Sequence, residues 1–241
     1  MPPAAVPDST VPASTVPARP VRRGAAPLPQ ALALAPLLRE VAGLALALEA
    51  ADPGVDALIG QLSDAVEALR GRVPGDLAPR MGEATDGRVY LDHARDIGAY
   101  NPCFPEYAIT VTGDRATGTV RFALPFEGPP GIVHGGALAL FFDVVVQHHN
   151  CDLGIVGKTT GLQVDYRAPT PLLRSLEFEV ARTAAGNRST SRARLFSRDT
   201  KSGGDTVYCA ATVQAVVGDP ARLAVLSPRR GLTGGHPGGR P

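Results

Sequence analysis

The residues whose types and spacing could support catalysis lie in the segment 128–152, GPPGIVHGGALALFFDVVVQHHNCD. A Gly/Pro-rich loop ends at His134, and the apolar run that follows predicts a helix buried on every side. Asp143 interrupts this run. A carboxylate among apolar neighbours is costly unless it is paired, hydrogen-bonded or protonated, and once desolvated it is a stronger base. Asp143 is therefore a candidate general base or nucleophile, with a structural Asp–Arg pair as the alternative.

Gly135 and Gly136 stand where the loop becomes the helix. The first amides of a helix have no partner within the helix, and the helix dipole makes that end electropositive. Glycine lets a ligand approach the backbone closely, so a carbonyl docked on the Gly135 amide would be polarised and an oxyanion formed from it stabilised. The alternative is that both glycines only permit tight packing of the helix on a sheet.

The loop, the HGG, the apolar helix and an Asp nine residues after the His together resemble the hotdog-fold acyl-CoA thioesterases of the PaaI-like group. The resemblance continues in KTTGLQVDYRAPTPL, residues 158–172, which is similar to the strand after the helix in that family. It spans roughly residues 101–217. It implies an α+β hotdog fold, in which an antiparallel sheet wraps around a central helix, and hydrolysis of acyl-CoA to the free acid and CoA.

The resemblance also assigns roles to the residues of the loop and helix. It implies that the Gly135 amide holds the oxyanion, that Asp143 acts as general base or nucleophile, and that Gly136 contacts the substrate. His134 would either hold the loop by a local hydrogen bond or assist catalysis. Some relatives carry an Asn about six residues before the His, whereas this chain reads FEGPP at 126–130. The group that positions water or the carbonyl in those relatives therefore has no counterpart here.

Two adjacent threonines follow the helix, and the resemblance places a Ser or Thr there that orients the acid or the attacking water. Neighbouring residues point to opposite faces of a strand, so only one of the two can serve. The spacing from Asp143 selects Thr159, and Thr160 is expected to contact the substrate.

The spacing of Gly135 and Asp143 bears on assembly. Eight residues of helix put them about 12 Å apart along the axis, so one chain cannot bring its own Asp143 to a carbonyl bound on its own Gly135 amide. Two such helices packed antiparallel across a two-fold axis would place each Asp143 beside the other chain's helix start. This agrees with the composite active sites that the resemblance implies, and it predicts a homodimer or a dimer of dimers.

A row of arginines is a second candidate surface, for the phosphates of coenzyme A. One face of the segment 188–198 carries Arg188, Thr190, Arg192, Arg194, Phe196 and Arg198. Arg192 and Arg194 are the candidate ligands, although a solvated outer face is the favoured interpretation for most of the row.

The end of the central helix carries His148, His149, Cys151 and Asp152. Neighbouring histidines point in different directions on a helix, so no metal site is predicted. No metal or redox cofactor is implied, CoA being part of the substrate. Two other functions stay open: a non-catalytic acyl-CoA-binding hotdog protein, and a hotdog dehydratase or hydratase, which would rely on a different acid/His arrangement.

Composition limits the classes of partner. A net charge of +1 gives no reason to expect nucleic acid or an anionic membrane, and 5% aromatic residues with no Trp disfavour base stacking. Three scattered cysteines fit a reducing compartment, so the protein is expected to be cytoplasmic. No stretch is expected to span a bilayer. Arg22-Arg23 could open a twin-arginine signal, but Arg39 and Glu40 interrupt the apolar run that follows.

The pattern along the chain divides it into four segments. Residues 1–29 and 219–241 are Pro/Ala-rich and Gly/Pro-rich tails that are expected to be disordered. Residues 30–75 predict a helical hairpin around the turn Asp52-Pro53-Gly54, which is expected to pack on the domain rather than face a membrane. Residues 76–218 predict the hotdog domain, whose antiparallel strands are expected at 107–112, 117–124, 159–166, 176–183, 189–197 and 206–217, with a short strand at 88–91.

Overall fold

The computed structural model describes residues 27–72, 95–155, 157–198 and 204–217. The predicted short strand at 88–91 lies outside these residues. So do the tail predicted at 219–241 and all but the last three residues of the tail predicted at 1–29.

Six strands form one sheet. They are β1 (Tyr107–Thr112), β2 (Arg115–Arg121), β3 (Gly157–Tyr166), β4 (Ser175–Ala185), β5 (Arg188–Arg198) and β6 (Asp205–Val217). Their order across the sheet is β1-β2-β4-β5-β6-β3, and every neighbouring pair is antiparallel. The predicted antiparallel sheet is thus confirmed. Because β3 pairs only with β6, it forms an edge of the sheet among the described residues.

The central helix α4 (Gly135–Asp152) packs one face on this sheet. Phe141 is fully buried, with ring centroids 5.2 Å from Phe178 on β4 and 5.5 Å from Phe122. Burying such side chains contributes about 1.5–3 kcal/mol each. The expectation that the helix is buried on every side is wrong for one face, since Leu140 is 49% exposed. A single sheet can cover only one side of a helix, and the face that carries Leu140 is left open.

Two N-terminal helices precede the sheet, α1 (Pro29–Ala47) and α2 (Pro53–Arg70), and the short helix α3 (Ile97–Tyr100) follows them. The Asp52 carboxylate accepts a hydrogen bond from the Gly54 amide at 2.7 Å and so caps the start of α2. α1 packs against α3 and the 3-10 helix Leu124–Phe126, as expected of a helix docked on the domain. α2 has no buried residue.

Arg39 fixes α1 to the domain. Its side chain is only 9% exposed, and its guanidinium donates hydrogen bonds to the carbonyls of Gly98 at 2.6 Å, Phe104 at 2.9 Å and Asn101 at 3.2 Å. These carbonyls lie in and just after α3, where a helix end leaves acceptors without partners. A charged donor satisfies three of them at once.

By length and composition alone, α1 is long and apolar enough to cross a membrane. The expectation that no stretch could do so is therefore wrong, because Arg39 and Glu40 are the only charged residues within the helix. Signal sequences and core helices of soluble proteins share this length and composition.

Candidate active site

A tight loop delivers the chain to the start of α4. The Val133 amide donates to the Thr170 carbonyl and the His134 amide to the Phe126 carbonyl, both at 2.9 Å. The Glu127 carboxylate accepts a hydrogen bond from the Gly131 amide at 2.7 Å. Glu127 lies in the stretch where some relatives carry an Asn, and here its carboxylate stabilises the loop itself. The backbone at the helix start is therefore held on both sides.

The peptide unit between Gly135 and Gly136 is fixed at both of its polar ends. The Gly136 amide donates to His134 Nδ1 at 3.0 Å, so His134 acts as the N-cap of α4. The Gly135 carbonyl accepts a hydrogen bond from the Tyr166 hydroxyl at 2.9 Å. Nδ1 can accept only while unprotonated, so a neutral His134 carries its proton on Nε2. We call this arrangement of His134 and Tyr166 around the Gly135–Gly136 peptide the peptide clamp.

The two glycine amides of the peptide clamp region differ in their hydrogen bonding. The Gly136 amide is occupied by His134, whereas the Gly135 amide has no hydrogen-bond partner among the described residues. An unpartnered amide at a helix N-terminus is suited to an oxyanion. A Cβ at position 135 would lie 3.1 Å from Tyr166 Cζ and Oη, so glycine lets the Tyr166 ring approach without the small shift that a side chain would require. The Gly135 amide, which the sequence suggested as an oxyanion donor, is thus left available, and its role stays a prediction.

Asp143 and Thr159 are in direct contact. Thr159 Oγ1 donates to Asp143 Oδ1 at 2.7 Å, and the pair lies on the open side of α4. The register of β3 against β6 shifts between Thr159 and Gly161, so Thr160 falls at an irregularity and donates instead to the Gln214 carbonyl at 3.3 Å. Of the two threonines, Thr159 is the one that contacts the acid.

A single chain leaves this region open. Gly135 and Asp143 are separated by about 12 Å of helix, so the clamped helix start and the acid do not meet within one protomer. Around them, Leu140, Leu162 and Tyr166 are 49%, 39% and 58% exposed. An apolar surface beside an unpaired edge strand is typical of a surface that another chain covers.

Arg192 and Arg194 lie away from the site. The intervening Ala193 packs in the core that includes α4, so the two arginines face the other side of the sheet. The Arg194 guanidinium pairs with Glu179 at 2.6 Å and Asp205 at 3.0 Å. The hydrogen bond that Arg194 donates to the Glu179 carboxylate raises the pKa of Arg194. The structure therefore does not bring these arginines together with Asp143 or Gly135.

The two histidines at the end of α4 point to different partners. Nδ1 of His148 accepts hydrogen bonds from the Tyr107 hydroxyl at 2.8 Å and the Asp96 amide at 3.1 Å, while His149 Nε2 lies 2.8 Å from the Gly113 carbonyl. Burial lowers the pKa of His148 and raises that of Tyr107. Among the described residues, no group of three metal-ligating side chains comes together here or elsewhere.

Comparison with known proteins identifies the fold. No protein-family model matches the chain, and no curated protein matches it. A crystal structure of a thioesterase superfamily protein matches with a TM-score of 0.62 and 25% identity, over 77% of this chain and 90% of that one. The hotdog fold is thereby confirmed, as is the resemblance at the level of the thioesterase superfamily. The PaaI-like group stays a prediction.

Two further structures are similar over smaller parts of the chain. A hypothetical thioesterase with coenzyme A from Streptococcus pneumoniae TIGR4 matches with a TM-score of 0.41 and 19% identity, over 46% of this chain and 88% of that one. A hexameric acyl-CoA thioesterase matches with a TM-score of 0.38 and 20% identity, over 44% and 70%.

Sequence reasoning missed Tyr166. Its place in the Tyr-Arg-x-Pro-x-Pro ending of β3 was part of the resemblance, but no role followed from it. Its contact with Gly135, 31 residues away, depends on how β3 lies beside α4. The available signal was weak: a tyrosine at the end of a strand, with one apolar side and one polar tip.

Proposed function

We propose that this protein hydrolyses the thioester bond of an acyl-CoA, giving the free acid and CoA. The observation that carries the proposal is the pairing of two features on one helix. Its start presents an unpartnered Gly135 amide held by the peptide clamp, and its open face presents a carboxylate oriented by Thr159. The likeness to a thioesterase superfamily protein supports a reaction on thioesters in general.

In the proposed reaction, water attacks the thioester carbonyl carbon and gives up a proton to the carboxylate of Asp143. The carbonyl oxygen becomes an oxyanion and accepts a hydrogen bond from the Gly135 amide. The C–S bond then breaks, the CoA sulfur takes a proton, and the carboxylic acid is released. Attack by Asp143 itself, through an anhydride that water then cleaves, uses the same groups and stays open. Neither route requires a metal or redox cofactor.

The proposed site is shared between two copies of the chain. Because Gly135 and Asp143 of one protomer are about 12 Å apart, the acid that serves a carbonyl on the Gly135 amide would be Asp143 of the partner subunit. Packing two α4 helices antiparallel would cover the open face around Leu140 and place the acids beside the opposite helix starts. We therefore propose a homodimer, or a dimer of dimers, as the active unit, acting in the cytoplasm.

The test is to incubate the protein with a panel of acyl-CoAs and to follow free thiol. Asp143→Asn should lower kcat by at least about a hundredfold with the fold retained, since general-base catalysis contributes on that scale. Asp64→Asn removes an exposed carboxylate of α2 and serves as the matched control, with native activity expected. If no acyl-CoA is cleaved but some bind, the protein is the non-catalytic binder. If Asp143→Asn keeps native turnover, the proposed role of the acid is wrong.

A further inference from the structure

The docked side of α1 rests on two short elements that lead to the candidate active site. These elements are α3 and the 3-10 helix Leu124–Phe126. On this side of α1, Ala35 is buried. A Cβ at Gly43 would lie 3.9 Å from Pro125 Cδ, so the backbone of α1 runs close to the 3-10 helix. The docking of α1 therefore bears on the position of the 3-10 helix.

One chain of contacts runs from the 3-10 helix into the peptide clamp. The Phe126 carbonyl, at the end of the 3-10 helix, accepts a hydrogen bond from the His134 amide at 2.9 Å. His134 Nδ1 accepts a hydrogen bond from the Gly136 amide at 3.0 Å. The Gly135 nitrogen is bonded to the His134 carbonyl carbon in a planar peptide, so a shift of His134 also reorients the Gly135 amide. The 3-10 helix thus supports the start of α4 directly.

A second chain of contacts runs through Phe104 to the body of α4. Arg39 Nε donates a hydrogen bond to the Phe104 carbonyl at 2.9 Å. The Phe104 ring stacks on Phe141 of α4, with the ring centroids 6.3 Å apart and the planes inclined by 20°, and both side chains are buried. In a close-packed core, a shift of one ring displaces its neighbours. The position of Phe104 therefore bears on the position of α4.

Arg39 is the polar side chain that fixes α1 in its docked position. Its guanidinium donates hydrogen bonds to the carbonyls of Gly98, Asn101 and Phe104. The exposed Glu106 carboxylate lies 3.7 Å from the guanidinium, and an ion pair of that kind contributes little. The three carbonyls therefore determine where the guanidinium lies. A planar guanidinium has five donors in a fixed arrangement and can reach several acceptors at once, whereas a lysine amine is a point charge.

We infer that α1 belongs to the scaffold of the candidate active site and that Arg39 is a positioning residue for the Gly135 amide. This role rests on the proposed function, because it concerns the same reaction. Arg39 does not touch the reacting atoms; it fixes Phe104 and holds α1 against the 3-10 helix. A misplacement of about 1 Å can lower a rate about a hundredfold, and an oxyanion donor acts mainly in the transition state. Loss of the Arg39 contacts should therefore lower kcat more than it weakens substrate binding.

Arg39→Met tests this role because it removes the donors and keeps an apolar stem of similar length. The kcat of acyl-CoA hydrolysis should decrease about five- to a hundredfold, with KM nearly unchanged. Arg39→Lys should retain an intermediate kcat, because an amine can donate to these carbonyls without spanning all three. The matched control is Arg70→Met, which removes an arginine of α2 that pairs with the exposed Glu67 and should leave kcat unchanged.

Hydrogen exchange of backbone amides, followed by NMR, tests the same role without hydrolysis. The amides of β5, which is paired on both sides, report the stability of the whole domain. In Arg39→Met, the His134 and Gly136 amides should exchange at least about fivefold faster when compared with those of β5. In Arg70→Met they should exchange as in the native chain. If the native protein cleaves no acyl-CoA, the proposed function is wrong, and exchange alone then decides whether Arg39 positions the loop.

The outcomes separate positioning from a role in overall stability. A lower kcat at unchanged KM, together with faster exchange confined to the loop, supports the positioning role. Native kcat in Arg39→Met, or exchange that accelerates equally in β5 and at His134 and Gly136, overturns it. Circular dichroism first establishes that each variant is folded. If Arg39→Met does not fold, Arg39→Lys takes its place, and native kcat or uniform exchange in that variant overturns the role in the same way.

Discussion

Tyr166→Phe is the sharpest test of the peptide clamp because it removes one hydroxyl and leaves the ring in place. The hydroxyl donates to the Gly135 carbonyl at 2.9 Å, and no other hydrogen bond of this hydroxyl is found among the described residues. Without it, His134 is the one side chain among the described residues that holds the Gly135–Gly136 peptide, beside the hydrogen bonds of the helix itself. We expect the neighbouring Gly135 amide to be less well aligned with the developing oxyanion.

The expected size follows from the hydrogen bond and its exposure. A hydrogen bond between neutral groups contributes about 0.5–1.5 kcal/mol, and at 58% exposure of Tyr166 water competes for the carbonyl in the single chain. A loss of about 0.5–1 kcal/mol corresponds to a roughly two- to fivefold decrease in rate. Since the oxyanion exists only in the transition state, the decrease should appear in kcat with KM nearly unchanged.

A second substitution tests the same contact from the other side. In Gly135→Ala, the new methyl group would lie 3.1 Å from the Tyr166 ring, and the exposed ring would have to shift by a few tenths of an ångström. This shift should weaken the hydrogen bond to the Gly135 carbonyl. Because Tyr166→Phe already removes that hydrogen bond, the double variant should be less impaired than the product of the two single effects.

The assay is release of free thiol from the best acyl-CoA substrate, with kcat and KM determined for each variant. Tyr208→Phe is the matched control, because it removes a tyrosine hydroxyl that contacts Ser197 at 3.0 Å on the sheet. It should leave kcat unchanged. Native kcat in Tyr166→Phe would refute the clamp. A change confined to KM would show that Tyr166 contacts the substrate rather than the peptide.

Three further outcomes are expected. Thr159→Val should lower kcat several-fold, whereas Thr159→Ser should keep kcat near the native value, because only the hydroxyl contacts Asp143. Equal activity of the Val and Ser variants would contradict this role of the hydroxyl. Folded Asp143→Asn and Gly135→Pro chains, each inactive alone, should regain up to about a quarter of native activity when they are mixed. About half of the randomly formed dimers are heterodimers, and one of the two sites in each heterodimer is intact. Verified heterodimers that stay inactive would exclude a shared site. Burial lowers the pKa of His148 below that of the unfolded chain, so its contribution to stability is present above about pH 6.5 and lost as the pH falls. The melting temperature should therefore decrease between pH 7 and 5, and less so in His148→Gln.

The sequence predicted the helices and strands, and it also predicted one part of the candidate site, the pair of Asp143 and Thr159. Alternating and helical patterns predicted all six described strands, and for β4 the predicted 176–183 compares with the observed Ser175–Ala185. Such patterns follow from the local backbone conformation and from which side chains must leave water, and both are encoded residue by residue. The family resemblance placed a Ser or Thr after the helix, and the spacing from Asp143 then selected Thr159, which is the threonine that contacts Asp143 in the structure.

Only the tertiary structure decided the rest. The peptide clamp depends on the position of Tyr166, which is set by the pairing of β3 with β6 and by its place beside α4. The open face of α4 and the pairing of Arg194 with acids from β4 and β6 likewise follow from which elements become neighbours. Sequence patterns report whether a residue is buried but not which distant residue buries it. Contacts across 31 positions, such as that of Tyr166 with Gly135, are therefore fixed by strand order and register rather than by local composition.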